Sequence, residues 1–259
     1  MHLKPIYTNL RTGQVKLKEE TLEKVKTVET DQCSRFVDAL THYECLIAEG
    51  DDPFHDDEIL RSYMSKWDGP EFFTALGELQ GKHVAEIGVG TGRLAKRILE
   101  LGCRHFTGID ISPSTIAKAR LNLKQYNNID LIVADAESYT STEAYDVIYS
   151  VLTFMHLKDK RKTIANIVNS LKPNGIAVVS ISKQKKVITC GNRKIELYLD
   201  SAANCAKIFK LNGCIVESLI DVVDFFTFPN GEKDSTYGQV ATTIVKAIKP
   251  LDSYTMALT

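Results

Sequence analysis

Between His83 and Ile181, short apolar runs alternate with segments whose apolar residues recur at helical spacing. The runs are HVAEIG, HFTGID, DLIVAD, YDVIYS and GIAVVSI, and each predicts a strand. Their apolar residues fall on consecutive rather than alternate positions, as expected for strands covered by helices on both faces. Strand, helix and strand in regular succession predict a parallel sheet with helical crossovers, hence a doubly wound α/β core.

The intervening helices carry clear start and stop signals. Ser112 and Pro113 fit the N-cap and first position of a helix running to about Leu123. Leu94, Ile98 and Leu101 predict an apolar stripe that stops at Gly102. A further helix is predicted from near Asp159 to the breaker Pro173-Asn174-Gly175.

Two parts lie outside this repeat. Residues 1–80 read as mainly helical, with Leu22, Val25, Val28 and then Phe36, Val37, Leu40, Tyr43 and Leu46 at helical spacing, and form an expected N-terminal helical cap. The stretch from about 185 to 200 reads as an inserted β-hairpin around Gly191-Asn192, followed by a helix from Ser201 to Leu211. The runs CIVESLI and VATTIVKAI, separated by FPNGEKDSTYGQ, predict a closing hairpin. The expected division is a cap over 1–80, a core over 81–250 and a tail over 251–259.

Composition narrows the partners. Lys and Arg number 32 against 33 Asp and Glu, for a net charge of −1, and 44% of the 259 residues are hydrophobic, which is ordinary for a globular chain. Without a basic surplus, a nucleic-acid partner is disfavoured. The longest clearly apolar stretches, such as Ile176 to Ile181, are far short of the roughly 20 residues that cross a bilayer. The opening MHLKPIYTNLRTGQ lacks an uninterrupted apolar region, so a cytoplasmic protein with no membrane partner is expected. Cys33, Cys45, Cys103, Cys190, Cys205 and Cys214 show no metal-ligand spacing and read as reduced thiols.

The richest segment is Val84-Ala85-Glu86-Ile87-Gly88-Val89-Gly90-Thr91-Gly92-Arg93-Leu94, a strand entering a glycine turn and then a helix. Such a turn lets a ligand approach the backbone, and the helix start offers free N–H groups. A dinucleotide fingerprint needs glycine where Arg93 stands, so the order is E-x-G-x-G-x-G. After the next strand, Gly108-Ile109-Asp110-Ile111-Ser112 puts a carboxylate at the strand's carboxyl end, where it can accept both hydroxyl hydrogens of a ribose. The third strand ends in Ala134-Asp135-Ala136. There Asp135 is either a ligand for an adenine amine or a simple turn acid.

On these pieces, together with YDVIYSVLTFMHL and LKPNGIAVVSI, the chain resembles the class I S-adenosylmethionine-dependent methyltransferases, strongly over residues 80–182. The resemblance implies a Rossmann-like seven-stranded sheet with a reversed last strand, and S-adenosylmethionine as methyl donor with S-adenosylhomocysteine as product. It implies that Glu86, Gly88, Gly90, Thr91 and Gly92 shape or line the pocket for the donor's amino-acid end. Asp110 would hold the ribose, with Ile111 against the adenine. Asp135 would meet the adenine amine beside the Ala136 backbone N–H, and Tyr149, Ser150 and Val151 would end the fourth strand near the methyl group.

A sulfonium methyl is already electrophilic, so the chain chiefly needs to align donor and acceptor and exclude water. If a base is needed, His156 in Leu152-Thr153-Phe154-Met155-His156 stands in the right place; a loop-bracing histidine is the alternative role. Tyr63, Tyr43 and Trp67 are aromatic candidates for one wall of the acceptor site or for packing the cap, with Tyr63 preferred as a site residue. The chain lacks N/D-P-P-Y/F after the fourth strand and a Pro-Cys nucleophile, which points away from nucleobase and glutamine acceptors toward a small molecule. The competing expectations are a donor-binding module without turnover and, against Arg93, a nicotinamide dehydrogenase.

Overall fold

The structure, a computed structural model, describes residues 35–183 and 186–251. Leu22, Val25, Val28, Cys33 and the expected tail beyond 251 lie outside those residues. The described chain begins with β1 (Arg35–Val37), α1 (Ala39–Ala48), a 3-10 turn at Pro53–His55, α2 (Glu58–Asp68) and α3 (Pro70–Leu76). The core follows as β2 (His83–Ile87), α4 (Arg93–Glu100), β3 (His105–Asp110), α5 (Pro113–Asn122), β4 (Ile129–Val133) and β5 (Tyr145–Ser150). After a 3-10 turn at Phe154–His156 come α6 (Lys160–Ser170) and β6 (Leu171–Ser182), then the hairpin β7 (Val187–Cys190) and β8 (Arg193–Glu196). The chain ends with α7 (Ala202–Leu211), β9 (Ile215–Val223) and β10 (Val240–Ile248).

Seven strands form one sheet in the order β4-β3-β2-β5-β6-β10-β9. The first five are parallel, and β10 runs antiparallel to both β6 and β9. Strand order reverses between β2 and β5, so the crossovers leave a crevice outside the carboxyl ends of those strands, where open α/β sheets bind ligands. Successive residues of β5 point to opposite faces. Val147 and Tyr149 join a core with α2, α3, α4 and α5, while Ile148 packs with α6 and α7.

The helices start where their caps demand. The Ser112 hydroxyl accepts from the Thr115 amide at 3.0 Å with Pro113 at the first helical position, and Asp159 and Ser201 cap α6 and α7 in the same way. In α4, however, Leu101 is 48% exposed and Leu99 takes the buried place, because the helix ends at Glu100 and the stripe runs through Leu94, Ala95, Ile98 and Leu99.

The N-terminal part differs from a purely helical cap. Phe36 and Val37 lie in β1, which pairs parallel with β8 and completes a three-stranded sheet with the hairpin. Only Leu40, Tyr43 and Leu46 of that apolar series fall on α1. A three-residue strand has no periodicity to read, and its hydrogen-bond partner is remote in sequence. The edge strand β4 is only half-buried, unlike the central strands, because α5 covers one side of it and no strand among the described residues pairs beyond it. No helix among the described residues is long and apolar enough to cross a membrane.

Candidate active site

The turn after β2 is shaped by backbone bonds that few side chains would permit. The amides of Gly88 and Val89 both donate to the Ile109 carbonyl, at 2.8 and 3.0 Å, folding the chain over the end of β3. Gly88 has φ +81°, and a Cβ there would collide with the Thr153 side chain. Gly90 has φ +57° with open space where its Cβ would stand, so its backbone faces the crevice bare. Gly92, at φ +93°, sits against Leu123 at the start of α4.

Asp110 ends β3 with both carboxylate oxygens held. Oδ2 accepts from the Gly90 amide and Oδ1 from the Ser112 amide, each at 3.0 Å. Burial raises its pKa, with those amides opposing. Glu86 is buried in the crevice floor, where its Oε2 accepts the Tyr149 hydroxyl at 2.8 Å. Burial pushes its carboxyl well above the usual range, against the Tyr149 bond and the Arg93 cation. Arg93 is itself held by Asp68 at 2.5 Å, and Arg97 stands 3.8 Å from the same carboxylate.

A cavity of about 2070 Å³ lies over these groups. Glu86, Gly88, Gly90, Thr91, Asp110, Ile111, Asp135 and Ala136 all line it. Asp135 is exposed, and its Oδ1 accepts from the Glu137 amide at 2.9 Å. Thr91 Oγ1 accepts from the Phe54 amide at 3.1 Å, tying the 3-10 turn before α2 to the glycine turn. Three expected residues do not reach the cavity lining. Tyr149 is wholly buried with its hydroxyl on Glu86, the Ser150 hydroxyl is buried in the sheet and donates to the Ile87 carbonyl at 2.8 Å, and Gly92 stands at the N-cap of α4. Past the end of β5, Val151 and Leu152 enter the cavity wall instead.

The far wall begins past β5. Leu152 has φ +57°, a left-handed backbone that costs a branched residue energy and is typical of ligand-facing turns. His156 follows on the 3-10 turn, with its Nε2 3.1 Å from the Tyr43 hydroxyl of α1. Burial and the nearby Lys160 cation push its pKa down to about 4, so the ring is neutral near pH 7. Tyr63 also lines the cavity but is almost wholly buried, packed edge-on against Trp67 and Phe226 with the Lys66 ammonium 4.0 Å from its ring centre. Tyr63 and His156 thus share one cavity without contact between them among the described bonds.

Sequence reading missed Lys66, which is buried on α2 between Asp224 and Asp234 of the segment before β10. A buried lysine shares its helical spacing with an exposed one, so only the carboxylates across the fold reveal it.

Residues 85–179 match the family described as "Methyltransferase domain". This stretch is a class I S-adenosylmethionine-dependent methyltransferase domain. The chain is 35% identical over 105 residues to a malonyl-[acyl-carrier protein] O-methyltransferase of Bacillus anthracis, covering 39% of this chain and 38% of the relative. It is 29% identical over 136 residues to a ubiquinone biosynthesis O-methyltransferase of Aromatoleum aromaticum, covering 51% and 54%. The match thus spans between about a third and about half of these curated relatives. Among solved structures, the N-methyltransferase NodS of Bradyrhizobium japonicum, in complex with S-adenosylhomocysteine, superposes with a TM-score of 0.59 at 15% identity, over 83% of this chain and all of that one. A putative S-adenosylmethionine-dependent methyltransferase of Listeria monocytogenes gives 0.60 at 16% identity, over 70% and 96%. These likenesses establish that the methyltransferase domain's sheet and crevice are those of the family fold.

Proposed function

We propose that the chain transfers the methyl group of S-adenosylmethionine to an O, N or C atom of a small molecule by direct in-line displacement. The observation that carries the reading is the Asp110 carboxylate, fixed by two amides at the switch point of the sheet, in the same cavity as buried Glu86 and the bare Gly90 backbone. A single ligand site typically occupies about 300–1,000 Å³. The cavity's 2070 Å³ leaves room for donor and acceptor together.

When bound, the donor supplies a sulfonium methyl that a nucleophile can take without prior activation. Asp110 accepts the ribose hydroxyls, Ile111 and Ala136 border the adenine, and Asp135 faces its amine. Glu86 takes the ammonium of the amino-acid end. On the acceptor side, Leu152, Thr153 and His156 border the reacting atoms. The neutral imidazole of His156 can receive an acceptor proton at Nδ1 in the tautomer whose Nε2 hydrogen points to the Tyr43 hydroxyl; Nδ1 is buried with no hydrogen-bond partner among the described residues. Tyr63, packed among Trp67, Phe226 and Lys66, walls the site rather than entering the chemistry. The relatives include O- and N-methyltransferases by name, in keeping with a core that fixes the donor and leaves the acceptor to cap, hairpin and loops.

Calorimetric titration of S-adenosylhomocysteine into wild type and Asp110→Ala tests the donor half. Tight binding lost in the variant is expected, and no binding by wild type refutes it. Release of S-adenosylhomocysteine from S-adenosylmethionine, measured with phenolic, carboxylic and amine acceptor panels, separates an enzyme from a donor-binding module without turnover.

A further inference from the structure

Helix α1 stands over the crevice and touches both of its sides through adjacent residues. The Tyr43 hydroxyl reaches His156 beyond β5. Glu44, the next residue, reaches the N-terminus of α5 just behind Asp110. Its Oε1 accepts from the Ser112 hydroxyl at 2.6 Å and the Ser114 amide at 3.0 Å, and its Oε2 accepts the Ser114 hydroxyl. These bonds hold the Glu44 carboxyl below its ordinary pKa, and the positive end of α5 favours its charge.

Ser112 passes this restraint to the crevice. Its amide donates to Asp110 Oδ1, and its Oγ accepts from the Thr115 amide. A hydroxyl has one hydrogen, and with a lone pair committed to Thr115 that hydrogen is directed at Glu44. The Asp110 carboxylate is therefore oriented by the glycine turn, by the start of α5 and, through Ser112, by a helix 68 residues earlier in the chain.

We infer that Glu44 is a positioning residue for the adenosyl half of the cofactor: by pinning Ser112 and Ser114 it fixes the Asp110 turn and seats α1 across the crevice. The inference rests on the proposed reading of that crevice as the S-adenosylmethionine site. Glu44 touches no reacting atom; it acts on the ribose through Ser112 and Asp110.

The test uses the full chain and two ligands, S-adenosylhomocysteine and 5′-methylthioadenosine, which keeps the adenosine and thioether but lacks the amino-acid end. Dissociation constants are measured for wild type, Glu44→Gln, Ser114→Ala and the double variant, each well below its melting temperature. Glu44→Gln should weaken both ligands by about the same factor, roughly tenfold for lost charge-assisted bonds. The double variant should bind no worse than the weaker single variant. A merely structural role lowers melting temperatures but leaves these constants unchanged, and that result overturns the inference. Additive losses in the double variant, or a loss confined to S-adenosylhomocysteine, also overturn it. If Glu44→Gln fails to fold, Ser114→Ala alone carries the comparison of the two ligands. A wild type that binds neither ligand overturns the cofactor reading and the inference with it; a wild type that binds while Glu44→Gln matches it overturns the inference alone.

Discussion

Replacing Lys66 with methionine should expose how strongly one buried cation organises the cavity wall that α2 supplies. The Lys66 ammonium lies 2.8 Å from Asp224 and 2.5 Å from Asp234, with all three side chains at most 5% exposed. Thr236 Oγ1 lies 2.5 Å from Asp224 Oδ2 and 2.9 Å from Asp234 Oδ2, and the Phe226 and Ser235 amides occupy the remaining carboxylate oxygens. Lys66→Met keeps the length and packing of the side chain but leaves two carboxylates buried together. Removing one partner of a buried ion pair costs about 3–5 kcal/mol. At about 2–4 °C per kcal/mol for a domain of this size, the melting temperature should fall by about 6–20 °C near neutral pH.

The sign of the pH dependence gives a second check. Burial raises the Asp234 pKa, but the bonds it accepts from the Lys66 ammonium and the Thr236 hydroxyl prevail and hold it below its ordinary value. In wild type this group therefore stabilises the fold above the ordinary carboxylate range, and the contribution is lost as pH falls through the lowered folded value. In Lys66→Met, two like charges share a site and one carboxyl is raised, so lowering the pH lets a proton replace the missing cation. The gap between wild type and variant should be widest at neutral pH and narrow toward about pH 5. Scanning calorimetry at both pH values measures it. A loss under about 2 °C at neutral pH, or a gap that does not change with pH, refutes the reasoning.

Other expectations follow from single contacts. Gly88→Ala must place a side chain at φ +81° against Thr153, so at least about 1–2 kcal/mol of stability should go, with donor binding lost as well; unchanged binding of S-adenosylhomocysteine counts against the turn's role. Because Glu86 is buried and its pKa raised, its contribution to stability falls as pH rises from the ordinary carboxylate range to the raised folded value. A ligand ammonium that ionises Glu86 should expel up to about one proton at neutral pH, so binding enthalpies of S-adenosylhomocysteine measured in phosphate and in Tris should differ; equal values contradict the assignment. His156, with its pKa at about 4, should show no ring titration in carbon NMR above pH 5, and a midpoint near the unperturbed value of about 6.5 would mean the ring is solvated.

Much of the core was legible because its signals are local. Ser112 followed by Pro113 marks a helix start from the chemistry of one hydroxyl and one ring, and the apolar run of β5 announces a strand covered on both faces. The glycine turn was readable for the same reason, since backbone bends of positive φ restrict the residue type at the position itself. The three-residue β1 was not legible, because it exists only through pairing with β8, and Phe36 and Val37 mimic a helical stripe when read alone. Leu101 failed for a related reason: spacing extends a stripe one residue past the point where the helix ends.

The site divides along the same line. The sequence by itself determined the donor's half of this protein: the alternation of strands and helices, the turn of Gly88 and Gly90, and acids at the carboxyl ends of β3 and β4 all follow from short-range patterns. Tertiary structure alone decided that Ser150 turns into the sheet while Leu152 faces the cavity, that Lys66 is buried between two distant carboxylates, and that Tyr43 and Glu44 bridge the crevice. Each of these depends on which remote groups a side chain meets, and periodicity fixes the face a residue takes but not the partner waiting there.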